Sequence, residues 1–330
     1  MKIQFYITQF DQVKDATKIY LEIINEAFTG SKELNMVSNI KDITEVNYVI
    51  TFTVTDFFRL KIRKPKTKII HWYQGIIPEE AKLKTNSIKQ YIAFSLLERF
   101  VLKFADFNFF VSKAMQKHFE SKYNFNKNNY FLMPCFNGEI YPKQEFFQKN
   151  YKAPEFVYIG SMATWQCVDN AIKIFKIVKQ EIPAARLTLL TNQQEKAKLK
   201  LEKFKVKANV SYVSLNNISK ELLKYKYGFL LRDDIAVNNV ATPTKMSTYL
   251  ASGVIPIYTE VIKAFKVFNN IQYQIRAENN NSKKIAEQII QFEKNKLFEE
   301  KIYEEYNSVF ETYYNKEKYI KAIKKIFEIQ

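Results

Sequence analysis

Short apolar runs alternate with helix-patterned segments along almost the whole chain. In the first half, strands are predicted at residues 2–8, 48–53, 68–72, 107–112 and 130–133, and helices at 11–28, 87–105 and 113–123. Strands that alternate with helices are typical of a parallel sheet covered on both faces. The pattern therefore predicts a doubly wound α/β domain.

The pattern stops at residues 136–154, a polar stretch with one glycine and two prolines, and then starts again. Beyond it, strands are predicted at 155–159, 186–190, 210–213, 227–231 and 254–258, helices at 168–180, 193–204, 219–225, 243–251 and 282–293, and one or two further helices at 298–330. We therefore expect two Rossmann-like domains, residues 1–140 and 150–309, with a C-terminal helix at about 310–330 packing back on the first. Two such domains bind ligands at the carboxyl ends of their strands, in the cleft between them.

The composition excludes several classes of site. The chain has two cysteines and two histidines, too few for a zinc cluster or a disulfide scaffold and suited to a reducing cytosol. Neither GxxxxGK[ST] nor GxGxxG occurs, so the P-loop and dinucleotide fingerprints are absent. The net charge of +17, from 51 Lys+Arg and 34 Asp+Glu, indicates an anionic partner: nucleic acid, a membrane face or a phosphorylated substrate.

The first residues lack the apolar run of a signal peptide, and no apolar stretch reaches the roughly 18 residues of a membrane span. We therefore expect a cytoplasmic protein that touches a membrane without crossing it.

Residues 225–258 carry the strongest signal for a ligand site. A buried strand ends in Arg232 and Asp233, which places both at the ligand edge of a parallel sheet. A helix is expected to follow, with Thr242 as its N-cap and Pro243 at its first position. Its free N–H groups, with Arg232 and Lys245, would suit a phosphate. The alternative is a solvated loop before a well-capped helix, with Lys245 merely exposed.

Residues 156–170 have a similar order of strand, Gly160, polar loop and helix, which also suits a diphosphate near backbone amides. A single glycine after a strand is weak evidence, since many tight turns use one. Trp165 would either stack on a ligand or cap the core. Cys167 is interpreted as a small packed residue and not as a nucleophile.

Together these segments resemble retaining GT-B glycosyltransferases of family 4, of the bacterial surface or capsular polysaccharide type. The most specific string is PTKMSTYLASGVIPI at residues 243–257, preceded by YIGS at 158–161. In the first half, HWYQG at 71–75 and the unit formed by Glu98, Ala105-Asp106 and Val111-Ser112 are similar to segments of the same enzymes. The likeness extends from about residue 45 to 270.

The resemblance implies a GT-B architecture and transfer of a hexose-type sugar, with retention, from a nucleotide-sugar such as a UDP- or GDP-sugar, with no cofactor and no metal. The residues implied as catalytic are Arg232, Lys245 and His71. Those implied as donor-binding are Gly160, Ser161, Gln166, Thr191, Ser214, Asp233, Asn238, Thr242, Pro243, Thr244 and Thr248. Those implied as acceptor-binding are Gln74, Gly75 and Glu79, for a glycan or polyprenyl-linked acceptor.

The chain also departs from the family. Val240 and Thr248 stand where the family often has two glutamates, the second of which contacts the donor ribose. Ser161 and Gln166 stand where it has the Arg and Lys of the first loop. Arg232 and Lys245 are expected to take over the charge of the diphosphate. A GT-B partner subunit without catalysis is therefore an alternative.

Several acceptor-side residues have simpler readings. A lone histidine at a strand end, such as His71, is often structural. Glu79 and Glu80 also fit the acidic first turn of a helix after Pro78. His118 is expected to be exposed and inert. Adjacent carboxylates such as Asp233 and Asp234 point apart, which disfavours a metal site.

Residues 59–68 contain six cations and follow two phenylalanines. Such a segment suits an anionic leaflet, which would place the protein at the inner face of the plasma membrane. The alternatives are a solvated helix and turn, or a basic nucleic-acid-binding protein. No nucleic-acid-binding motif is found, which disfavours the last.

Overall fold

The structure is a computed structural model that describes residues 1–13, 15–149 and 151–329. Of the predicted segments, only Lys14, Asn150 and Gln330 lie outside these residues. The chain divides into two compact units. The first comprises Met1–Cys135, Asn239–Thr242 and Asn315–Gln330, and the second comprises Phe136–Asn238 and Pro243–Tyr314.

The first unit contains a six-stranded parallel sheet in the order β2-β1-β3-β4-β5-β6. Its elements are β1 (Ile3–Tyr6), α1 (Asp15–Thr29), β2 (Met36–Val37), β3 (Tyr48–Thr51), α2 (Val54–Arg63), β4 (Ile69–Tyr73), α3 (Ile77–Thr85), α4 (Ile88–Phe104), β5 (Phe107–Phe110), α5 (Lys113–Tyr123) and β6 (Tyr130–Leu132). The central strands β3 to β5 are mostly buried, which explains why they are apolar runs without alternation.

The second unit contains another six-stranded parallel sheet, in the order β12-β11-β10-β7-β8-β9. Its strands are β7 (Glu155–Ile159), β8 (Arg186–Leu190), β9 (Asn209–Ser211), β10 (Tyr227–Leu230), β11 (Ile255–Thr259) and β12 (Ile275–Ala277). Its helices are α6 (Lys143–Phe146), α7 (Val168–Glu181), α8 (Gln194–Phe204), α9 (Leu215–Leu222), α10 (Ala236–Val240, whose last two residues belong to the first unit), α11 (Lys245–Ala251), α12 (Ser282–Glu293) and α13 (Glu299–Thr312). Two parallel sheets, each flanked by helices, confirm the predicted fold class.

The last helix, α14 (Lys316–Ile326), belongs to the first unit and packs on α1. Lys316 Nζ lies 2.6 Å from the carboxylate of Glu26. The Phe327 ring follows this helix and contacts Phe28 and Phe107. The end of the chain therefore completes the core of the first unit.

The predicted linker is packed structure. Phe146 and Tyr151 are buried in the second unit, and so is Lys149. The Lys149 ammonium donates hydrogen bonds to the carbonyl oxygens of Leu222 (2.9 Å) and Ser252 (3.1 Å), at the ends of α9 and α11. The polar composition of this stretch misled the prediction, because its aromatic residues and the lysine stem face inward.

Other differences concern short elements. The edge strand β12 was not predicted, helices α2 and α3 were considered only as alternatives for residues 59–68 and for the segment after Pro78, and α9 begins four residues before the predicted helix. Among the described residues, no helix is both long and apolar enough to cross a bilayer.

Candidate functional site

The side chain of Arg232 lies at the carboxyl edge of the second sheet, two residues after the end of β10. Its backbone is fixed by Thr259, the last residue of β11, because the Thr259 hydroxyl accepts from Arg232 N–H and donates to Arg232 C=O, both at 2.9 Å. The guanidinium donates to the Leu231 carbonyl oxygen at 2.8 Å, and the residue is 5% exposed. Burial lowers the pKa of Arg232, but a guanidinium stays charged in proteins. The edge of the sheet therefore holds a fixed, buried positive charge.

Lys245 brings a second cation to the same edge. Its ammonium donates to the Gln166 side-chain oxygen at 2.6 Å and to the Tyr158 hydroxyl at 3.4 Å, and it lies 4.4 Å from the Tyr158 ring centroid. Burial lowers the pKa of Lys245, and repulsion from Arg232 lowers it further. The two predicted cations are therefore close enough to repel each other.

The part of the chain that the structure describes provides no carboxylate that pairs with either cation. Among the residues that the structure describes, neither Arg232 nor Lys245 forms a salt bridge. Two neighbouring cations with only neutral partners are unfavourable in a partly desolvated place, and an anion that binds both relieves the repulsion. The arrangement therefore suits a ligand with at least two negative charges.

Gly160 and Ser161 form the turn after β7, next to the Lys245 side chain. Gly160 has φ +126°, a backbone conformation that favours glycine, and a β-carbon there would lie 2.8 Å from Lys245 Nζ, so that the lysine side chain would have to shift. The Tyr158 hydroxyl donates to the Ser161 carbonyl oxygen at 2.6 Å and holds the turn after β7. The predicted residues Gly160, Ser161 and Gln166 are thus brought together with Lys245.

Asp233 is held by two amides. The Asn280 side chain donates to its carboxylate at 2.8 Å, and Asn238 donates to its backbone carbonyl oxygen at 2.9 Å. Asn280 also contacts the Cys167 sulfur at 3.2 Å, and burial raises the pKa of Cys167 to about 11. Asn238 is 2% exposed, so it supports the loop after β10. Cys167 is a packed thiol, in agreement with its interpretation from the sequence.

Two further predicted residues follow the neighbouring strands. Thr191 comes directly after β8, is buried, and accepts a hydrogen bond from Gln193 N–H at 3.1 Å. Ser214 precedes α9 and is exposed. Because all strands are parallel, both residues lie along the same edge of the sheet as Gly160 and Arg232.

The predicted helix start is wrong. Helix α11 begins at Lys245 with Thr244 as its N-cap, and no side chain caps it. Thr242 belongs to the first unit, where its hydroxyl accepts from Cys135 N–H at 3.1 Å, while Pro243 precedes the helix in the second unit. The local pattern of Thr and Pro favoured a cap, but the contact with Cys135 holds Thr242 elsewhere.

Thr248 and Val240, which stand at the two positions of the expected glutamates, are buried and form hydrogen bonds within the protein. Thr248 is 5% exposed, and its hydroxyl donates to the Thr244 carbonyl oxygen at 2.9 Å. Val240 is buried in the first unit, and its carbonyl oxygen accepts from the Ser112 hydroxyl at 2.6 Å. Neither side chain offers a charged group to a ribose.

His71 lies inside the sheet of the first unit and is 0% exposed. Its Nδ1 is 2.8 Å from the Thr51 hydroxyl, and its ring packs against Phe57 and Tyr73. Burial lowers the pKa of His71 to about 3. This conformation gives an acceptor no access to the imidazole and favours the structural alternative.

The loop after β4 holds the other predicted acceptor residues. Gln74 is exposed, whereas a β-carbon on Gly75 would clash with the Glu80 carboxylate. The Glu80 carboxylate therefore lies over Gly75 in this structure. Glu79 and Glu80 occupy the first turn of α3 after Pro78, as the simpler reading of these residues expected.

The prediction that His118 is exposed is wrong. Its side chain is 19% exposed and lies 3.5 Å from Glu79, which also forms a 2.7 Å salt bridge with Lys122. Behind them, buried Glu98 accepts from the Tyr123 hydroxyl at 2.8 Å, and burial raises the pKa of Glu98 to about 8. Residues from α3, α4 and α5 thus form one ionisable cluster, which sequence separation conceals.

Sequence reasoning missed three residues that shape the site in the second unit: Tyr158, Thr259 and Asn280. A tyrosine two positions before a glycine and a threonine at a strand end were available signals, because both lie at the carboxyl edge. Asn280 lies 47 residues after its partner Asp233, and no local pattern indicates that contact. Among the described residues, no group of three or more His, Cys, Asp or Glu side chains could hold a metal ion.

Known solved structures share this architecture. HepE from Anabaena, determined with UDP and glucose, superposes with a TM-score of 0.74 at 9% identity, over 100% of both chains. The chain has the GT-B fold. WaaG, a glycosyltransferase involved in lipopolysaccharide biosynthesis, superposes with a TM-score of 0.67 at 12% identity, over 98% of this chain and 99% of its own.

TarM is also similar, with a TM-score of 0.66 at 13% identity over 94% of this chain. A mutant of the S. aureus protein was determined with UDP and α-GlcNAc-glycerol. The present chain spans only 57% of TarM. No family model and no curated protein matches the sequence.

Proposed function

We propose that this protein is a glycosyltransferase that binds the diphosphate of a nucleotide-sugar between Arg232 and Lys245. The observation that carries the proposal is this pair of buried or partly buried cations at the carboxyl edge of the second sheet, with no carboxylate partner among the described residues. Ligands of doubly wound sheets bind at that edge. The GT-B fold and UDP-bound neighbours such as HepE support a nucleotide-sugar as the ligand.

The chemistry follows from the charges. When the bond between the sugar's anomeric carbon and the diphosphate oxygen breaks, negative charge grows on the departing diphosphate. Arg232 and Lys245 stabilise that charge without moving, since both side chains are already held by neutral partners. The acceptor hydroxyl oxygen bonds to the anomeric carbon and passes its proton to the departing diphosphate oxygen, and we propose that the configuration there is retained. Two fixed cations supply the charge that a metal would otherwise supply, so the proposed reaction needs no metal ion and no cofactor.

We further propose a surface glycan or lipid-linked glycan as the acceptor, in capsule or lipopolysaccharide synthesis. The likeness to WaaG supports this class of acceptor, and the net charge of +17 supports a peripheral position at the inner face of the plasma membrane. The exposed Gln74 after β4 remains the predicted acceptor contact with the least hindered side chain.

A second candidate function is a partner subunit that binds a nucleotide-sugar without turning it over. Thr248 and Val240 favour it, because neither provides the carboxylate expected at the donor ribose. The two candidates differ in turnover and share the binding of the diphosphate.

Calorimetric titration with UDP and GDP tests the shared step. We expect one of them to bind, and Arg232→Gln to weaken that binding at least tenfold, since a charge-assisted hydrogen bond contributes about 1.5–3 kcal/mol. Arg186→Gln is the matched control, because Arg186 is exposed at the opposite, amino end of β8. Loss of affinity in both variants, or in neither, would contradict the proposed site.

A turnover assay with the bound nucleotide's sugars then separates the two candidates. Release of the nucleoside diphosphate in the presence of a glycan acceptor supports the transferase. Tight binding without release supports the partner subunit. Retention is read from the anomeric configuration of the product, and metal independence from unchanged turnover in a chelator.

A further inference from the structure

Helix α4 in the first unit exposes a stripe of large apolar side chains. Ile88, Ile92 and Leu96 are 55%, 53% and 65% exposed, although comparable side chains elsewhere in the unit are mostly buried. Their spacing of four residues places them on one side of the helix. An exposed apolar stripe of this kind marks a surface that binds a partner or a membrane.

The same side of α4 carries only positive charge. Lys89, Arg99 and Lys103 are exposed, and at 3.6 residues per turn they lie on or beside the stripe. The single acidic residue of the helix, Glu98, is buried on the opposite side. The stripe is therefore flanked by cations with no acid between them.

Helix α2 extends this surface. The ring of Phe58 packs against the ring of Phe100 in α4, with 5.2 Å between the ring centroids. The Phe100 and Phe104 ring centroids are 4.5 Å apart. One turn after Phe58, Ile62 is 58% exposed, and Phe104 is 41% exposed. The exposed sides of α2 and α4 are thus joined through an aromatic contact, and we call them the α2–α4 face.

Helix α2 also adds charge to the α2–α4 face. Arg59 and Arg63 are exposed, and the only acid of α2, Asp56, is 2% exposed and lies 3.8 Å from the Arg59 guanidinium. The face therefore combines five exposed cations of the two helices with an apolar ridge and has no exposed acid of its own.

We propose that the α2–α4 face is the surface through which the protein binds an anionic lipid bilayer. The inference deepens the proposed peripheral location, on which it rests, and moves the contact from the basic segment alone to a surface centred on α4. Cations beside an anionic leaflet gain electrostatic attraction, while the apolar ridge enters the boundary between headgroups and acyl chains.

The charge and the apolar ridge of the face favour a bilayer over a second copy of the chain and over a nucleic acid. In a symmetric dimer built on this face, five cations of one copy would meet five of the other, which is repulsive. A nucleic acid would match the charge, but its phosphates would leave the aliphatic ridge of Ile88, Ile92 and Leu96 without an apolar partner. A bilayer satisfies both the charge and the ridge.

The test is flotation of the full chain with vesicles of phosphatidylcholine alone and of phosphatidylcholine mixed equally with phosphatidylglycerol. We expect binding to the mixed vesicles only, weakening as salt is raised. Each cation near such a surface changes affinity about fivefold, and a ridge side chain contributes at least as much. The variant Leu96→Ser/Arg99→Gln/Lys103→Gln should therefore bind about 100-fold more weakly.

The matched control is Leu199→Ser/Lys196→Gln/Lys207→Gln. It removes one exposed leucine and two exposed lysines from the second unit, so its net charge changes equally. We expect it to bind the mixed vesicles within threefold of the unchanged protein. Equal losses in the two variants, or equal binding to both kinds of vesicle, would overturn the proposal.

Two further measurements decide between occupants. Sedimentation equilibrium measures self-association. If the unchanged protein and the Leu199 control are dimers and the Leu96→Ser/Arg99→Gln/Lys103→Gln variant (the α4 variant) is a monomer, the face is a dimer interface and the lipid proposal is overturned. Binding of duplex DNA more tightly than of the mixed vesicles, with loss in the α4 variant alone, would also overturn the lipid proposal. Thermal shifts with UDP and GDP are recorded in parallel, because their absence would refute the nucleotide site and leave the vesicle result standing.

Discussion

The ammonium nitrogen of Lys245 lies 2.8 Å from the point where a β-carbon on Gly160 would stand. Gly160→Ala should therefore displace Lys245 from the diphosphate position and lower nucleotide affinity at least tenfold. Because Gly160 has φ +126°, the variant should also lose about 1–3 kcal/mol of unfolding free energy. Urea unfolding and calorimetric titration measure the two effects separately.

Gly30→Ala is the control for backbone strain alone. Gly30 has φ +76°, and no atom lies within 4 Å of its would-be β-carbon. This variant should lose stability but keep nucleotide affinity. If Gly160→Ala binds nucleotide as the unchanged protein does, Lys245 is not positioned by that contact.

Removal of the Lys245 charge should separate binding from stability. In Lys245→Met, the repulsion from Arg232 disappears, so the unfolding free energy without ligand should stay the same or rise. Nucleotide affinity should fall at least tenfold, because one cation of the diphosphate site is lost. Unfolding in urea with and without a saturating nucleoside diphosphate measures both.

Lys149→Met is the contrasting variant, because Lys149 is buried but donates to the carbonyl oxygens of Leu222 and Ser252. It should lose about 2–5 kcal/mol, since two buried acceptors lose their donor. Equal stability effects in the two lysine variants would show that Lys245 is not held against a neighbouring cation.

The pH dependence of stability should depend on Glu98. Burial raises the pKa of Glu98 in the folded state to about 8, from an ordinary value near 4.5. The unfolded chain therefore binds fewer protons than the folded chain between these values, and this group's stabilisation, complete below pH 4.5, is lost as pH rises through 8. Glu98→Gln, which mimics the protonated acid, should remove that loss of about 1 kcal/mol per pH unit.

The measurement is urea unfolding of both proteins at intervals from pH 5 to 9. Glu98→Gln should become the more stable protein at the alkaline end. A constant difference between the two proteins over this range would mean that Glu98 titrates normally.

His71 should produce the opposite slope. Burial lowers the pKa of His71 to about 3 in the folded state, from an ordinary value of 6.5. The unfolded chain binds the additional proton between these values, so the stabilisation by neutral His71 is complete above pH 6.5 and declines as pH falls towards 3. His71→Asn should lose less stability than the unchanged protein between pH 6 and 4, by about 1 kcal/mol per pH unit. Parallel pH profiles would contradict this.

Much of the fold was predictable because its signals are local. The bounds of β7, β8 and α5 match the apolar runs and the helix pattern, since burial on both faces makes central parallel strands continuously apolar. Helix α2 was predicted only in part, as the solvated helix that was the alternative for residues 59–68, because its buried residues Phe57 and Leu60 are few and its cations many.

The positions of the predicted donor-binding residues could also largely be predicted from the sequence. Gly160 directly follows β7 and Arg232 lies two residues after β10, and parallel strands bring such residues to one edge. The roles of these residues stay predictions. The surroundings of the predicted acceptor-binding residues could not be predicted from the sequence. The burial of His71 and the position of the Glu80 carboxylate over Gly75 depend on neighbouring helices and strands.

The sequence by itself determined two doubly wound parallel sheets and the edge at which the charged residues of the second would gather. Only the tertiary structure decided the partner of each charge. Lys149 caps two helices, Lys122 pairs with Glu79, and Lys245 contacts neutral groups beside Arg232. The physical reason is that periodicity reflects burial of neighbouring residues, whereas the partner of a charge is set by chain segments far apart in sequence.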